Sequence, residues 1–255
     1  YIKDYNLQNK LELQFKEIAS KIRENNLNLG RRAYSLTLAH SVYQAILCGY
    51  SKITAIELGV ATGNGLRDLC LAANYFSTKF NIDIDIVGFD SGAGLPLLQD
   101  HRDHPEIWSY GDYSMGGHDM QNQLPNNAKL ILGDVADTIP IFCQEFQDSC
   151  IGFVSIDLDL YSSTVSAMPL FEMTADRYLP ALPVYVDDIH NHITYNPWCG
   201  ESLAIREFNA CHSLRKFHEK DSRWRIENFH ILHVLDHPFC TGAIQPPTSL
   251  SIGPF

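Results

Sequence analysis

The sequence predicts an α/β protein whose core is a mostly parallel sheet flanked by helices. An apolar run at 53–58 ends in a glycine-rich turn, and apolar residues then recur at helical spacing from Leu66 to Phe76. This is the strand–turn–helix unit that opens a parallel sheet. Further apolar segments of strand length, each followed within two residues by an Asp, lie at 84–89, 128–132, 151–156 and 183–186. The 255 residues can bury a core of this size.

Two helices are predicted ahead of the sheet. Apolar residues share one face of a helix over 6–24, and a second helix is predicted over 33–48. We expect residues 1–50 to form a helical extension that acts as a lid or an oligomer contact. The main domain is then expected at 51–240 and a tail at 241–255.

The end of the main domain is predicted to contain a helix and an antiparallel strand pair. The helix is expected at Glu201–Asn209, and the two strands at Leu214–His218 and Phe229–Leu235.

Composition narrows the functional classes. The net charge of −11 argues against nucleic acid or an anionic membrane as a partner. No apolar run has membrane-spanning length and no secretory leader is recognisable. The seven cysteines form no C-x-x-C pair, which is typical of buried thiols in a reducing compartment, so a cytoplasmic protein is expected. Because the first residue is Tyr1 rather than Met, we expect further residues upstream.

The glycine-rich turn carries the first cofactor signal. Its spacing is Glu57-x-Gly59-x-x-x-Gly63-x-Gly65, which is wider than the G-x-G-x-x-G turn that holds a dinucleotide pyrophosphate. The pattern resembles motif I of the class I S-adenosylmethionine-dependent methyltransferases. That resemblance implies that these four residues contact S-adenosylmethionine, whereas a nicotinamide-dependent oxidoreductase is the alternative that the spacing disfavours.

The second strand ends in Asp90 and Ser91. An acidic residue at this place in a nucleotide-binding sheet accepts both ribose hydroxyls, although an Asp can equally cap the next turn. The stretch DSGAGLP is similar to D-S/T-F-x-G-L-P of the macrocin and mycinamicin group of sugar O-methyltransferases, with Gly92 in place of Phe. Asp90 and Ser91 are therefore expected to bind the cofactor. The same resemblance implies that the segment ending at Asp134 flanks the adenine. The Asp134 carboxylate could accept a hydrogen bond from the exocyclic amine of the adenine.

The long polar segment at 97–127 contains Trp108, Tyr110 and Tyr113. Loops of this length in a compact domain are usually functional or disordered. The aromatic side chains could stack on a sugar or another planar ligand, or they could anchor the loop on the core.

Acidic residues follow the fourth and fifth strands, at Asp157, Asp159, Asp187 and Asp188. The carboxyl ends of neighbouring parallel strands meet at one edge of the sheet, where ligands bind. Carboxylates gathered there raise one another's pKa unless a cation joins them, and Mg²⁺ is the usual oxygen-liganded ion. The alternative is that some of them cap helices.

The same sugar O-methyltransferase group has a matching metal motif. DLDLYSST at 157–164, followed by a strand and D-D, resembles its metal-binding pattern. This implies that Asp157, Asp187 and Asp188 hold the metal, with Asp157 also near the cofactor, and that Asp159 is the base. Ile189 replaces the usual Tyr after D-D, so His190 is a second candidate for the base.

The resemblance spans roughly residues 35–236. It implies a Rossmann-like class I methyltransferase fold with seven strands in the order 3-2-1-4-5-7-6. The expected activity is a metal-dependent O-methyl transfer to a hydroxyl of a sugar or another small natural product, carried out by a homo-oligomer. An antibiotic-pathway hydroxylase on the same fold and a non-catalytic cofactor-binding module are the alternatives.

Overall fold

The computed structural model describes residues 5–116, 120–147, 149–189, 196–219 and 228–242. Within them, seven strands form one sheet in the order β3-β2-β1-β4-β5-β7-β6. This order confirms the one that the sequence motifs implied. The strands are β1 Lys52–Leu58, β2 Asp83–Asp90, β3 Ala128–Leu132, β4 Cys150–Ile156, β5 Ala181–Val186, β6 Arg215–Glu219 and β7 Phe229–Val234.

The first five strands run parallel, and β7 pairs antiparallel with both β5 and β6. The β1–β2 register runs from Lys52 opposite Asp83 to Leu58 opposite Phe89. Every residue of β4 is buried, as expected of a central parallel strand that is covered on both faces. The carboxyl ends of β1, β2, β4 and β5 consequently meet at one edge.

Helices cover both faces of the sheet. The first three helices pack on one face, and α4, α5 and α6 pack on the other. The predicted helices at 6–24, 33–48 and 201–209 are present with small shifts at their ends. The described helices are α1 Tyr5–Arg23, α2 Arg32–Cys48, α3 Asn64–Phe80, α4 Val135–Glu145, α5 Tyr161–Ala167, α6 Gly200–Cys211 and α7 Pro238–Thr241. None of them is long and apolar enough to cross a membrane.

Helix α2 belongs to the core of the fold, and the lid or oligomer contact expected of residues 1–50 stays a prediction. It packs against α1, α3, β4 and β5, and its side chains Tyr34, Leu38 and Val42 are fully buried. The buried side chains Leu11 and Phe15 of helix α1 belong to the same hydrophobic cluster as α2. Because burial of such side chains stabilises a fold by roughly 1.5–3 kcal/mol each, the amino-terminal segment is a structural layer of the domain.

Candidate active site

A cavity of about 480 Å³ opens at the carboxyl edge of the sheet. Its size lies in the range of small-molecule and cofactor sites. Its wall is formed by the turn after β1, the ends of β2, β4 and β5, and the loop that follows β2. The predicted site residues on this wall are Glu57, Gly59, Gly65, Asp90, Ser91, Asp134, Asp157, Asp159, Asp187 and Asp188.

The turn after β1 needs glycine for its own packing. Gly59 has φ +84°, and a Cβ there would lie 1.7 Å from the Asp157 carbonyl oxygen. A Cβ on Gly65 would lie 2.1 Å from the Glu57 Oε1 atom. Gly63 is not among the residues that line the cavity and lies against Met120, so its expected contact with the cofactor stays a prediction. These close approaches let strand tips and turn backbone converge around the cavity.

Glu57 is a buried acid at the bottom of this turn. Its Oε1 atom accepts a hydrogen bond from the Tyr34 hydroxyl at 2.9 Å, and that hydroxyl also lies 2.7 Å from Ser155 Oγ. The Oε2 atom is buried and has no hydrogen-bond partner among the described residues. Burial raises the pKa of Glu57 to about 8, because the charged form loses its hydration. The site therefore offers a buried carboxyl oxygen without a partner.

Asp90 organises the backbone of two loops. Its Oδ2 atom accepts from the amides of Val60 and Ala61 at 2.9 and 2.8 Å, and its Oδ1 atom accepts from Gly92 at 2.6 Å. The carboxylate thus ties the glycine turn to the loop after β2 while it faces the cavity. Ser91 has a similar role, since its hydroxyl donates to the Gly94 carbonyl at 2.8 Å.

Asp134 lies on the cavity wall at the start of α4. Its Oδ1 atom accepts from the Ala136 amide at 2.9 Å, so the residue caps the helix. The described structure therefore gives Asp134 a capping role, and its expected contact with adenine stays a prediction.

Four carboxylates face the cavity from the tips of β4 and β5. Asp157 pairs with the Arg31 guanidinium at 3.2 Å, and Asp187 accepts a hydrogen bond from the Tyr185 hydroxyl. Burial and the neighbouring Asp187 charge raise the pKa of Asp157 to about 7. Asp159 hydrogen-bonds to Asp188, and burial raises the pKa of Asp159 to about 9. We assign the proton of the hydrogen bond between Asp159 and Asp188 to Asp159.

The backbone at Asp159 departs from the sequence expectation of an extended chain. Strand β4 ends at Ile156, and Asp159 has φ +60°, so alternation along the strand does not orient its side chain. Asp159 also does not cap α5. That role belongs to Asp103, which accepts from the Ser162 amide at 2.8 Å and from the Ser162 hydroxyl at 3.0 Å. Asp159 is thereby left with the other carboxylates of the cavity.

Two aromatic residues of the long loop also line the cavity. Trp108 is nearly buried and Tyr113 is half exposed, and their rings meet edge to face at 5.9 Å. Tyr113 has φ +63°. Burial and the charges of Asp159 and Asp188 raise the pKa of its hydroxyl. Trp108 therefore anchors the loop and Tyr113 faces the acidic tips, while the expected stacking on a ligand stays a prediction. Tyr110 is exposed and is not on this wall.

Comparison with solved structures identifies the fold. The calicheamicin methyltransferase CalS11 gives a TM-score of 0.56 at 20% identity, covering 91% of this chain and 95% of its own. The chain has the class I methyltransferase fold. An apo structure of CalS11, described as a TDP-rhamnose 3′-O-methyltransferase, gives 0.47 at 20% identity over 87% and 94% of the two chains. The O-methyltransferase NovP gives 0.49 at 16% identity over 76% of each chain. No protein-family model matches the sequence, and no curated protein matches it.

Two residues of this methyltransferase fold have site roles that sequence reasoning missed. Glu201 of α6 is fully buried and accepts from the amides of Leu158 and Asp188, at 2.9 and 3.2 Å. It therefore joins the tips of β4 and β5 beneath the acidic side chains. Arg31, just before α2, pairs with Asp157 from across the cavity. In the sequence, Glu201 and Arg31 are recognisable only as charged residues near the start of a predicted helix.

Within the described part of the methyltransferase fold, no three Asp, Glu, His or Cys side chains are arranged to hold a metal ion. The strand-tip carboxylates instead contact Arg31, Tyr185 and one another. The second candidate base, His190, lies outside the described residues.

Proposed function

We propose that this protein is an S-adenosylmethionine-dependent O-methyltransferase that uses a divalent cation and methylates a hydroxyl of a sugar or another small natural product. The observation that carries the proposal is one cavity at the carboxyl edge of a methyltransferase-type sheet that combines Glu57 and Asp90 with the acidic tips of β4 and β5. The DLDLYSST and D-D motifs at these tips support the same activity.

The cavity suits an adenosyl amino acid in size and chemistry. Its volume of about 480 Å³ lies in the range of cofactor sites. Gly59 and Gly65 let the turn pack closely on Asp157 and Glu57 at the cavity wall, and the unpartnered Glu57 Oε2 is a ready acceptor for an amine. Asp90 keeps acceptor capacity on Oδ1, which takes a single described hydrogen bond. These features support the cofactor part of the proposal.

The donor set at the strand tips suits a hard cation. Asp157, Asp187 and Asp188 supply the carboxylate oxygens that Mg²⁺ prefers. Burial and the Asp187 charge raise the pKa of Asp157, and a cation bound beside both carboxylates would offset both effects. In the proposed enzyme, such an ion would lower the pKa of the acceptor hydroxyl.

We assign proton removal to Asp159 in its ionised form. Asp159 carries a proton in the cation-free cavity, and the charge of the proposed cation would lower its pKa and release that proton. Asp159 faces the same cavity, it does not cap α5, and its hydrogen bond to Asp188 holds it beside the proposed metal ligands. Methyl transfer to oxygen is an in-line displacement that requires an aligned acceptor and a base within hydrogen-bond reach. The Trp108 and Tyr113 rings form the part of the wall that suits a sugar ring. CalS11, which shares the fold, is a calicheamicin methyltransferase.

The test is a methyl-transfer screen of hydroxylated metabolites, including glycosides and nucleotide sugars, read by mass spectrometry with and without EDTA. We expect products heavier by one methylene group that disappear in EDTA and return with added Mg²⁺. Products that form equally well in EDTA would refute the metal dependence. A product heavier by one oxygen atom would favour the hydroxylase. Cofactor binding without any turnover would favour a binding module.

A further inference from the structure

We infer that Arg31 binds the carboxylate of the cofactor's amino-acid end, which makes this residue a determinant of cofactor recognition. The inference rests on the proposed function, because it concerns the same cavity and the same cofactor. Three features of Arg31 support it: the acidic wall around the residue, its unused N–H donors and the contacts that hold it in place.

The charges on the described cavity wall favour an anionic group beside Arg31. The described cavity wall carries seven acidic residues, and Arg31 is the one cationic residue among its lining side chains. A ligand carboxylate placed beside the acidic side chains would be repelled, whereas beside Arg31 it would be attracted. The acidic residues are Glu57, Asp90, Asp134, Asp157, Asp159, Asp187 and Asp188.

The guanidinium of Arg31 has donors to spare. Its Nη1 atom donates to the Tyr34 hydroxyl and to Asp157, both at 3.2 Å. Its Nε and Nη2 atoms have no hydrogen-bond partner among the described residues. A planar fork with unused N–H groups is the group that proteins use to bind carboxylates in a bidentate manner. Arg31 can therefore keep Asp157 while it binds a second carboxylate.

A matching acceptor lies beside this donor. The Tyr34 hydroxyl contacts both Arg31 Nη1 and Glu57 Oε1, so a single hydroxyl separates the cation from the buried acid. The other oxygen of Glu57 has no described partner. The amino-acid end of S-adenosylmethionine carries an ammonium and a carboxylate on one carbon. A cation beside an unpartnered carboxyl oxygen complements that pair of groups. The ligand ammonium would favour the ionised form of Glu57, whose pKa burial raises in the empty cavity.

Arg31 is fixed before any ligand arrives. Its backbone amide donates to Asp68 Oδ2 at 2.7 Å, and its guanidinium lies 4.7 Å from the centre of the Tyr34 ring. Gly30, with φ +76°, allows the approach, because a Cβ there would lie 2.2 Å from the Asp68 carboxyl group. A donor held in this way loses little conformational entropy on binding.

The experiment is calorimetric titration with two ligands in EDTA-containing buffer. The first is S-adenosylhomocysteine, and the second is its decarboxylated analogue, which keeps the amine, the thioether and the nucleoside. We expect Arg31→Met to weaken S-adenosylhomocysteine by about 10–100-fold and to change the affinity for the decarboxylated analogue less than about twofold. Arg32→Met is the matched control, since it removes an exposed charge one residue away and should alter neither affinity.

The outcomes separate the inference from the proposed function. Equal weakening of both ligands by Arg31→Met, or weakening of neither, would overturn the role of Arg31 and leave the proposed function standing. Wild-type protein that binds neither ligand would overturn both. Binding of the decarboxylated analogue also reports that the Arg31→Met protein is folded.

Discussion

The Asp103 carboxylate accepts a hydrogen bond from the backbone amide of Ser162 at 2.8 Å and thereby caps α5. Asp103 is buried, and it comes from the loop after β2 rather than from the chain segment that precedes the helix. The cap therefore joins the long loop to the helix behind the acidic tips. It also frees Asp159, three residues before Ser162, from a capping role.

Because Asp103 caps α5 and Asp159 does not, substitutions of these two aspartates should have different effects. Asp159→Asn should lower kcat by about 10²–10⁴-fold, because the base is lost, with little change in the free energy of unfolding. Asp103→Ala should lower the free energy of unfolding by about 0.5–2 kcal/mol, because α5 loses its cap. Urea unfolding and steady-state kinetics on both variants provide the measurement. Wild-type turnover by the Asp159→Asn enzyme would transfer the role of base to His190.

Asp90 should affect both binding and stability. Asp90→Ala removes the acceptor of the Val60, Ala61 and Gly92 amides, so we expect a loss of about 1–3 kcal/mol in the free energy of unfolding. Calorimetry should show a loss of similar size in cofactor affinity, because the expected ribose acceptor also disappears. Asp85→Asn, on the exposed part of the same strand, is the control. Unchanged affinity in the Asp90→Ala protein would contradict the cofactor role.

The acidic tips should limit stability in the absence of a cation. In EDTA, Asp188→Asn should raise the thermal midpoint, because it removes one of the charges that face Asp157 and Asp159. The same substitution should abolish activity in Mg²⁺, because a proposed metal ligand is lost. Thermal scans with and without Mg²⁺ test both statements. Full activity of the Asp188→Asn enzyme would show that this residue is not a ligand.

His237 should make stability dependent on pH. Its ring is fully buried, with Nε2 at 3.0 Å from the Tyr178 carbonyl oxygen and Nδ1 accepting from the Phe239 amide at 3.1 Å. Burial lowers the pKa of His237 below its ordinary value of 6.5. The unfolded chain therefore binds a proton first as the pH falls. The stability contributed by neutral His237 is complete above pH 6.5 and declines below it.

The measurement is urea unfolding at several pH values between about 8 and about 5. Wild-type protein should lose more stability over this range than His237→Asn, since the variant lacks the titrating ring. His101→Asn is the control, because the side chain of His101 is 84% exposed, and it should follow the wild-type curve. Identical pH dependence in the wild-type and His237→Asn proteins would contradict the assignment.

The sequence predicted the five parallel strands well because each contains an apolar run that ends at a glycine or an acidic residue. Asp90 and Asp157 mark two of those ends, and the structure places both on the cavity wall. Conformation beyond a strand end was not predictable in this way. The left-handed backbone at Asp159 depends on the surrounding packing, and no residue-type preference of Asp alone dictates it.

The sequence also did not predict the roles of residues whose partners lie far away along the chain. Glu201 accepts from the Leu158 amide, 43 residues earlier in the chain. Nothing in the helix ESLAIREFN indicates that its first acidic residue points inward to bond backbone amides, since Glu in a first turn is common for helix-dipole reasons. Gly63 is a motif position whose backbone has φ +82°, a left-handed conformation that favours glycine whether or not a cofactor is bound.

The long sequence separation across the site has a consequence for biosynthesis. Arg31 lies 126 residues before Asp157, and Tyr34 lies 121 residues before Ser155. A ribosome releases α2 well before β4 and β5, the strands against which this helix packs. The part of α2 that faces β4 and β5 therefore lacks its native partner until those strands emerge, although α1 and α3 are already available to the helix. Apolar surface exposed in this way favours aggregation. We expect the yield of soluble protein to depend on chaperone supply and on translation rate, and to improve when synthesis is slowed by growth at lower temperature.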